Sequence, residues 1–210
     1  MGLGMQVFLD DVALSVPNAS LSAALEKATE LAQARGRIVV EVLCDGRPAT
    51  EEMLRGDAMA FPGDVRCISA DPHELILATL EDAVRELDLL VLDQKQACET
   101  IWRGSMDVAM ERLRDILKRW EMLRGAMSQC ASAAGLAIED LRTDSGSGAD
   151  EVAGLARDLE QVRTELSAGR TVELADVVGT DLCLRARGWQ GVFGAMAGEV
   201  RQRMAGGMGA

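Results

Sequence analysis

Few side chains in this sequence are of a type that carries chemistry near neutral pH. His73 is the only histidine in 210 residues, and it stands between Asp71-Pro72 and Glu74. A histidine beside carboxylates could serve as a base. The bland alternative is a surface residue in the first turn of a helix, where the dipole disfavours the protonated ring. No serine or cysteine stands at a spacing to it that a nucleophilic motif would need. The five cysteines, Cys44, Cys67, Cys98, Cys130 and Cys183, are widely spaced, with no CxxC or CxxH arrangement to suggest zinc. Each lies among apolar neighbours and reads as a small buried hydrophobe. Di-iron bundles need Glu-x-x-His pairs, which one histidine cannot supply. Phosphate-cradling glycine motifs and GxSxG are absent from the sequence. No catalytic, cofactor-binding or metal-binding residue is assigned, and the expected reading is not an enzyme. The alternative left open is an enzyme or small-molecule binder with a carboxylate site at the domain junction, near Asp71, His73 and Glu74.

Charge and composition narrow the partners. Lys plus Arg total 22 and Asp plus Glu 34, a formal net charge of −12. That balance argues against nucleic acid, whose phosphates call for a basic face, and against a polybasic membrane-surface role. Aromatics are 3% with no tyrosine, which removes base-stacking platforms. No uncharged apolar run approaches the roughly 20 residues of a membrane helix. No signal peptide is read at the start, and reduced thiols fit the cytoplasm. Arginine far outnumbers lysine, as in GC-rich bacterial genomes. The densest basic stretch, Arg112, Arg114, Lys118, Arg119 and Arg124, has Glu111, Asp115 and Glu121 three or four residues away and reads as a salt-bridged, solvated helix face.

Two unlike halves must position whatever the chain carries. All four prolines lie in the first 72 residues, leaving the remainder free to form long helices. The first half reads as α/β. Short strands Gln6–Leu9 and Val12–Val16 flank a glycine-less Asp10-Asp11 turn. Asn18 and Ser20 offer caps to a helix that Gly36 closes. Ile38–Cys44 alternates, with Ile38, Val40, Val42 and Cys44 on one face and Asp45-Gly46 as the turn beyond. Thr50 caps a single helical turn that ends before Gly56, and Val65–Ala70 is a last strand. This order and these lengths, over residues 5–70, resemble the ubiquitin-like β-grasp fold. Some β-grasp domains act as carriers through a Gly-Gly directly after the last strand. Here Gly206-Gly207 follows a helix instead, so carrier chemistry is not expected.

Residues 72–204 read as all-α, with 205–210 as a disordered tail. Asp71-Pro72-His73-Glu74 is a helix start with Asp as N-cap, Pro at the first position and Glu for a capping box. Ile76, Leu80, Ala83, Leu87 and Leu90 follow, and Gly104-Ser105 marks a break. Ala109, Leu113, Ile116, Trp120, Leu123, Met127, Cys130 and Ala134 then keep a 4-3 spacing that Gly135 ends, a seam open to packing within or between chains. Arg142–Gly148 reads as a loop. Val152, Leu155, Leu159, Val162 and Leu166 mark a third helix ending near Gly169. Thr171 is expected to cap a fourth, through Ala175, Val178, Leu182, Ala186, Trp189, Phe193, Met196 and Val200. Its glycines, Gly179, Gly188, Gly191, Gly194 and Gly198, imply close helix packing or local weakness. The fold expected is therefore α+β: a small β-grasp-like domain, then an antiparallel helical bundle or long helical hairpin.

Thr171–Leu182, followed by Trp189, resembles a stretch of uncharacterised bacterial proteins that also join a β-grasp start to helices, some of them near flagellar genes. Those proteins carry bulkier residues where this chain has Gly179 and Gly188. The resemblance implies the two-part architecture and a motility or secretion partner, and it lends no catalytic residue. Four residues remain as candidates for partner binding. Leu89 and Leu92 fall outside the main stripe of the first long helix and either widen its core face or form an exposed patch. Met106 and Met110, one turn apart, raise the same question, because thioethers suit adaptable interfaces. The expected function is a non-enzymatic protein-interaction module, adaptor or chaperone-like, with a protein partner or a second copy as its ligand and no cofactor.

Overall fold

A computed structural model describes residues 5–16, 20–55, 63–144 and 146–207. The chain is α+β, with a small mixed sheet followed by several helices, and it divides into two units, Met1–Leu75 and Ile76–Ala210.

In the first unit, β1 (Gln6–Leu9) and β2 (Val12–Leu14) pair antiparallel across Asp10-Asp11. Both aspartates take positive φ, +48° and +67°. Such a turn usually recruits glycine or asparagine, because a short polar side chain tolerates the left-handed region. Asp10 is also held from β5 (Asp64–Ala70): its carboxylate accepts from the Ser69 N–H at 2.8 Å and the Ser69 hydroxyl at 2.5 Å. Next comes α1 (Leu21–Gln33), capped by the Ser20 hydroxyl, which accepts from the Ala23 N–H at 3.3 Å. Asn18, the other expected cap, lies outside the described residues. Gly36 takes φ +68° just beyond the helix, and β3 (Ile38–Cys44) turns through Asp45-Gly46 into the two-residue β4 (Arg47–Pro48). Thr50 caps α2 (Glu51–Arg55), and Gly56 lies outside the described residues.

The sheet order is β2-β1-β5-β3-β4, with β1 and β5 parallel and the other pairs antiparallel. Leu21, Ala24, Ala28 and Ala32 of α1 pack with Val7, Leu9, Cys44, Val65 and Cys67 of the sheet to form the core. One expectation fails in β3. Its partners on β5 run Ile38↔Ala70, Val39↔Ser69, then Glu41↔Ile68, so Val40 is an extra residue in a bulge. An extra residue shifts every later side chain to the opposite face. Val39, Val42 and Cys44 therefore serve the core, while Ile38 and Val40 are exposed.

Asp71 caps α3 (Pro72–Trp102), accepting from the His73 N–H at 2.8 Å. In the second unit Gly104, at φ +76°, separates α3 from α4 (Met106–Ala134), and Gly135, at φ +61°, ends α4. The stretch expected as a loop at 142–148 holds a small antiparallel pair, β6 (Arg142–Thr143) with β7 (Gly146–Ser147). Helix α5 (Gly148–Ala168) starts within that stretch because Ser147 and Asp150 form a reciprocal capping box. Thr171 is the first residue of α6 (Thr171–Asp176) rather than its cap. That position belongs to Arg170, whose side chain pairs with Glu165. A π-helical turn, Val177–Asp181, leads into α7 (Leu182–Gly207). Ala205–Gly207, expected to open a disordered tail, are thus helical, and 208–210 lie outside the described residues.

The 4-3 seam of α4 is used within the chain. Ala109, Leu113, Ile116, Trp120, Leu123, Met127 and Cys130 are all buried in one core with α3, α5 and α7. Trp120 meets Trp189 edge-on at 5.3 Å, and Trp189 meets Phe193 at 6.0 Å, an arrangement aromatic rings favour. The basic stretch is only partly the self-bridged face expected. Lys118 does pair with Asp115, but Arg119 reaches across to Glu86 and Asp93 of α3, and Arg112 donates to the Gln96 carbonyl at 2.9 Å.

Candidate protein-interaction face

Along α3 the core positions Leu80, Leu87, Leu90 and Ala97 are buried. Leu89 and Leu92 are one turn apart on the outward side, 54% and 55% exposed. The wide-core alternative is therefore excluded for both. Residues three or four positions from them frame the pair, and most are engaged with neighbouring helices. Glu86 and Asp93 hold Arg119 of α4, Asp88 accepts from the Gln190 amide of α7 at 2.7 Å, and Gln96 holds Arg112. Two flexible apolar side chains thus stand in a fixed polar frame. Covering the exposed half of each would contribute about 1 kcal/mol per leucine. Met106 and Met110 differ: both are half-buried and pack against the core of the helical unit. The structure does not bring all four candidates onto one exposed surface.

Where chemistry was sought, the geometry is that of a helix cap. Asp71 Oδ1 accepts from the His73 backbone and lies 3.3 Å from Nδ1. The hydrogen bond from the His73 N–H holds the Asp71 carboxyl below its usual range, against the opposing pull of burial. His73 and Glu74 are exposed. Cys44, Cys67, Cys130 and Cys183 are buried and Cys98 half-buried, and all five are free thiols. Burial pushes the Cys67 thiol up to about 11, with Cys44 and Asp10 adding to it, and burial raises the other four as well. Such thiols hold little of the reactive thiolate. Among the described residues no group of three or more His, Cys, Asp or Glu could hold a metal ion, and no helix is long and apolar enough to cross a membrane.

Residue-by-residue reading of the chain missed one polar cluster. Arg185 of α7 lies 2.8 Å from Glu151 and 2.9 Å from Asp158, both on α5, while Trp189 donates to the Glu151 carbonyl at 3.2 Å. Two glycines make room for it. A Cβ on Gly154 would fall inside the Arg185 guanidinium, and one on Gly188 inside the Glu151 carboxylate. Asp181, one turn before Arg185, has its carboxyl pushed up by burial and by the charges of Asp158 and Asp176. The available signal was a helix-interior glycine on each of two helices, which marks close approach without naming the group that approaches.

No family model matches the chain, and neither a curated protein nor a solved structure matches it.

Proposed function

We propose that this chain is a non-enzymatic protein-interaction module, adaptor or chaperone-like, whose contact face is centred on Leu89 and Leu92 of α3. The observation that carries the reading is the exposure of these two leucines on a helix whose opposite side is fully committed to the core. In this reading the first unit is a β-grasp domain, supported by the sheet order β2-β1-β5-β3-β4 and the helix α1 on one face. The second is an antiparallel bundle, supported by cross-helix bonds from α3 to α4 and α7 and from α7 to α5. Amphipathic helices commonly receive partner helices through such apolar anchors. The partner is a protein of the bacterial cytoplasm, and the resemblance of Thr171–Leu182 to proteins near flagellar genes points to motility or secretion. A second copy of the chain is the competing occupant, although the α4 seam that would have served it is buried within the chain.

The test is Leu89→Asp with Leu92→Asp in one variant, examined by quantitative affinity purification and by light scattering. The variant should keep its fold, because both sites are exposed. It should lose a stoichiometric partner or a dimer that the parent carries. A parent that is monomeric and partner-free under all conditions tried would end the proposal.

A further inference from the structure

Helix α1 and the core lie on one side of the first sheet. On the other side the strand register sets out a row of apolar side chains. Phe8 of β1 pairs with Arg66 of β5, Arg66 pairs with Leu43 of β3, and the next outward pair is Ile68 with Glu41. Ile38 follows, opposite Ala70. Ile38 and Ile68 are 41% and 38% exposed, and Phe8 and Leu43 are only partly buried. A sheet that keeps one side in water ordinarily makes that side polar, and a contiguous apolar patch marks a contact surface.

Two charges stand within this patch in a set geometry. Arg66 and Glu41 lie diagonally across adjacent strands, about 7–8 Å apart, with Leu43 and Ile68 on the crossing diagonal. Arg66 is stacked over the Phe8 ring at 5.1 Å. It also reaches Asp11 at 3.0 Å, but that pair is 50% and 87% exposed and is worth little. Glu41 is exposed and has no ion pair among the described residues. Asp64, another charge on this side, begins β5 and lies off the block.

We propose that this face binds a second copy of the chain through a two-fold contact. An axis in the interface, along the Leu43–Ile68 diagonal, sets Arg66 of each copy on Glu41 of the other. The same axis brings Leu43 and Ile68 against their own counterparts, as an isologous interface requires. The charge pattern is complementary to itself and fixes the register, with the two sheets crossing steeply, one of the packings sheets adopt. Five strands about 4.8 Å apart, two of them seven residues long, offer at most roughly 550 Å² per copy. About 1,100 Å² in total is below the range of permanent assemblies, so the dimer is reversible, with a dissociation constant of roughly 10 μM or weaker. This surface belongs to the first unit, apart from Leu89 and Leu92, and its failure would leave the interaction reading untouched.

The test is sedimentation velocity of the full-length chain over a concentration series reaching the millimolar range, with circular dichroism as the check on folding. The parent should pass reversibly from monomer to dimer. Glu41→Arg and Arg66→Glu each set like charges together twice and should weaken the dimer at least about tenfold. Mixed with each other, these two variants should associate again, and the chain carrying both changes should dimerise like the parent. Ile68→Lys, at an exposed position on the axis, should abolish the dimer and decides alone if either charge variant fails to fold. Leu89→Asp with Leu92→Asp should leave it intact. A parent that stays monomeric throughout, a mixture of folded variants that does not associate, or a dimer that survives Ile68→Lys but not the leucine changes would overturn the proposal.

Discussion

Replacing Gly188 by alanine should destabilise the helical unit, although alanine is the better helix former by about 1 kcal/mol. The new Cβ would occupy the space of the Glu151 carboxylate, whose side chain is 6% exposed. That carboxylate must swing away, ending its 2.8 Å contact with Arg185 and leaving a buried charge without its partner. Breaking a buried pair this way costs about 3–5 kcal/mol. Arg185 keeps Asp158 and is 21% exposed, so the lower end applies. Net of the propensity gain, the loss is about 2 kcal/mol. Gly194 on the same helix is the control. Nothing lies within 4 Å of a Cβ there, so Gly194→Ala should stabilise by up to about 1 kcal/mol. Urea unfolding followed by tryptophan emission reads the right unit, because Trp102, Trp120 and Trp189 all lie in it. Adding Glu151→Ala to Gly188→Ala should recover part of the loss. A Gly188→Ala variant as stable as Gly194→Ala would refute the packing argument.

Gly179→Ala should also destabilise, since its Cβ would sit 2.6 Å from the Cys98 Sγ, and Cys98→Ala in the same chain should restore stability by making room; an unrescued double variant would show that the clash is not the cause. Asp10 has its carboxyl lowered, chiefly by the Ser69 hydroxyl, so its contribution is complete above the unfolded value of about 3.9 and fades as pH falls through the lower folded value. Asp10→Asn should therefore flatten the acid limb of stability in the first unit, read by hydrogen exchange at the Ser69 amide, and an unchanged acid limb would contradict this. In thiol titration of native protein, Cys98 should react first and the four buried thiols only on unfolding, with rates rising above pH 9 because burial raises every thiol. Rapid reaction of Cys67 at neutral pH would contradict the burial argument.

How far the chain could be read depended on whether one residue's environment is decided locally. Asp10-Asp11, Asp45-Gly46, Ser20 and Gly135 specify turns and caps within a few residues, and the structure uses each of them there. The α3 and α4 stripes were equally legible, because 3.6-residue periodicity sets the buried side whatever the partner. The β3 bulge was not, since Val40 fits an alternating strand and only the pairing with β5 inserts it as an extra residue. Arg119 illustrates the same limit. Its helix offers acidic neighbours, yet the tertiary fold supplies Glu86 and Asp93. Of the four candidate contact residues, Leu89 and Leu92 could be named from their place off the stripe. Their exposure needed α3's neighbours, and Met106 and Met110 prove to pack on the core. The Glu151–Arg185–Asp158 cluster joins residues 27 and 34 positions apart and leaves only its glycines as a trace.

The central claim, that the Leu89–Leu92 face is where a protein partner sits, is tested most directly by photo-crosslinking in living cells. A photoreactive phenylalanine analogue would replace Leu89 or Leu92, with Arg163 on the exposed side of α5 as the comparison site. The account predicts one dominant protein adduct, or a crosslinked second copy, from both leucine positions and none from 163. No adduct at 89 and 92, or the same adducts at 163, would contradict it.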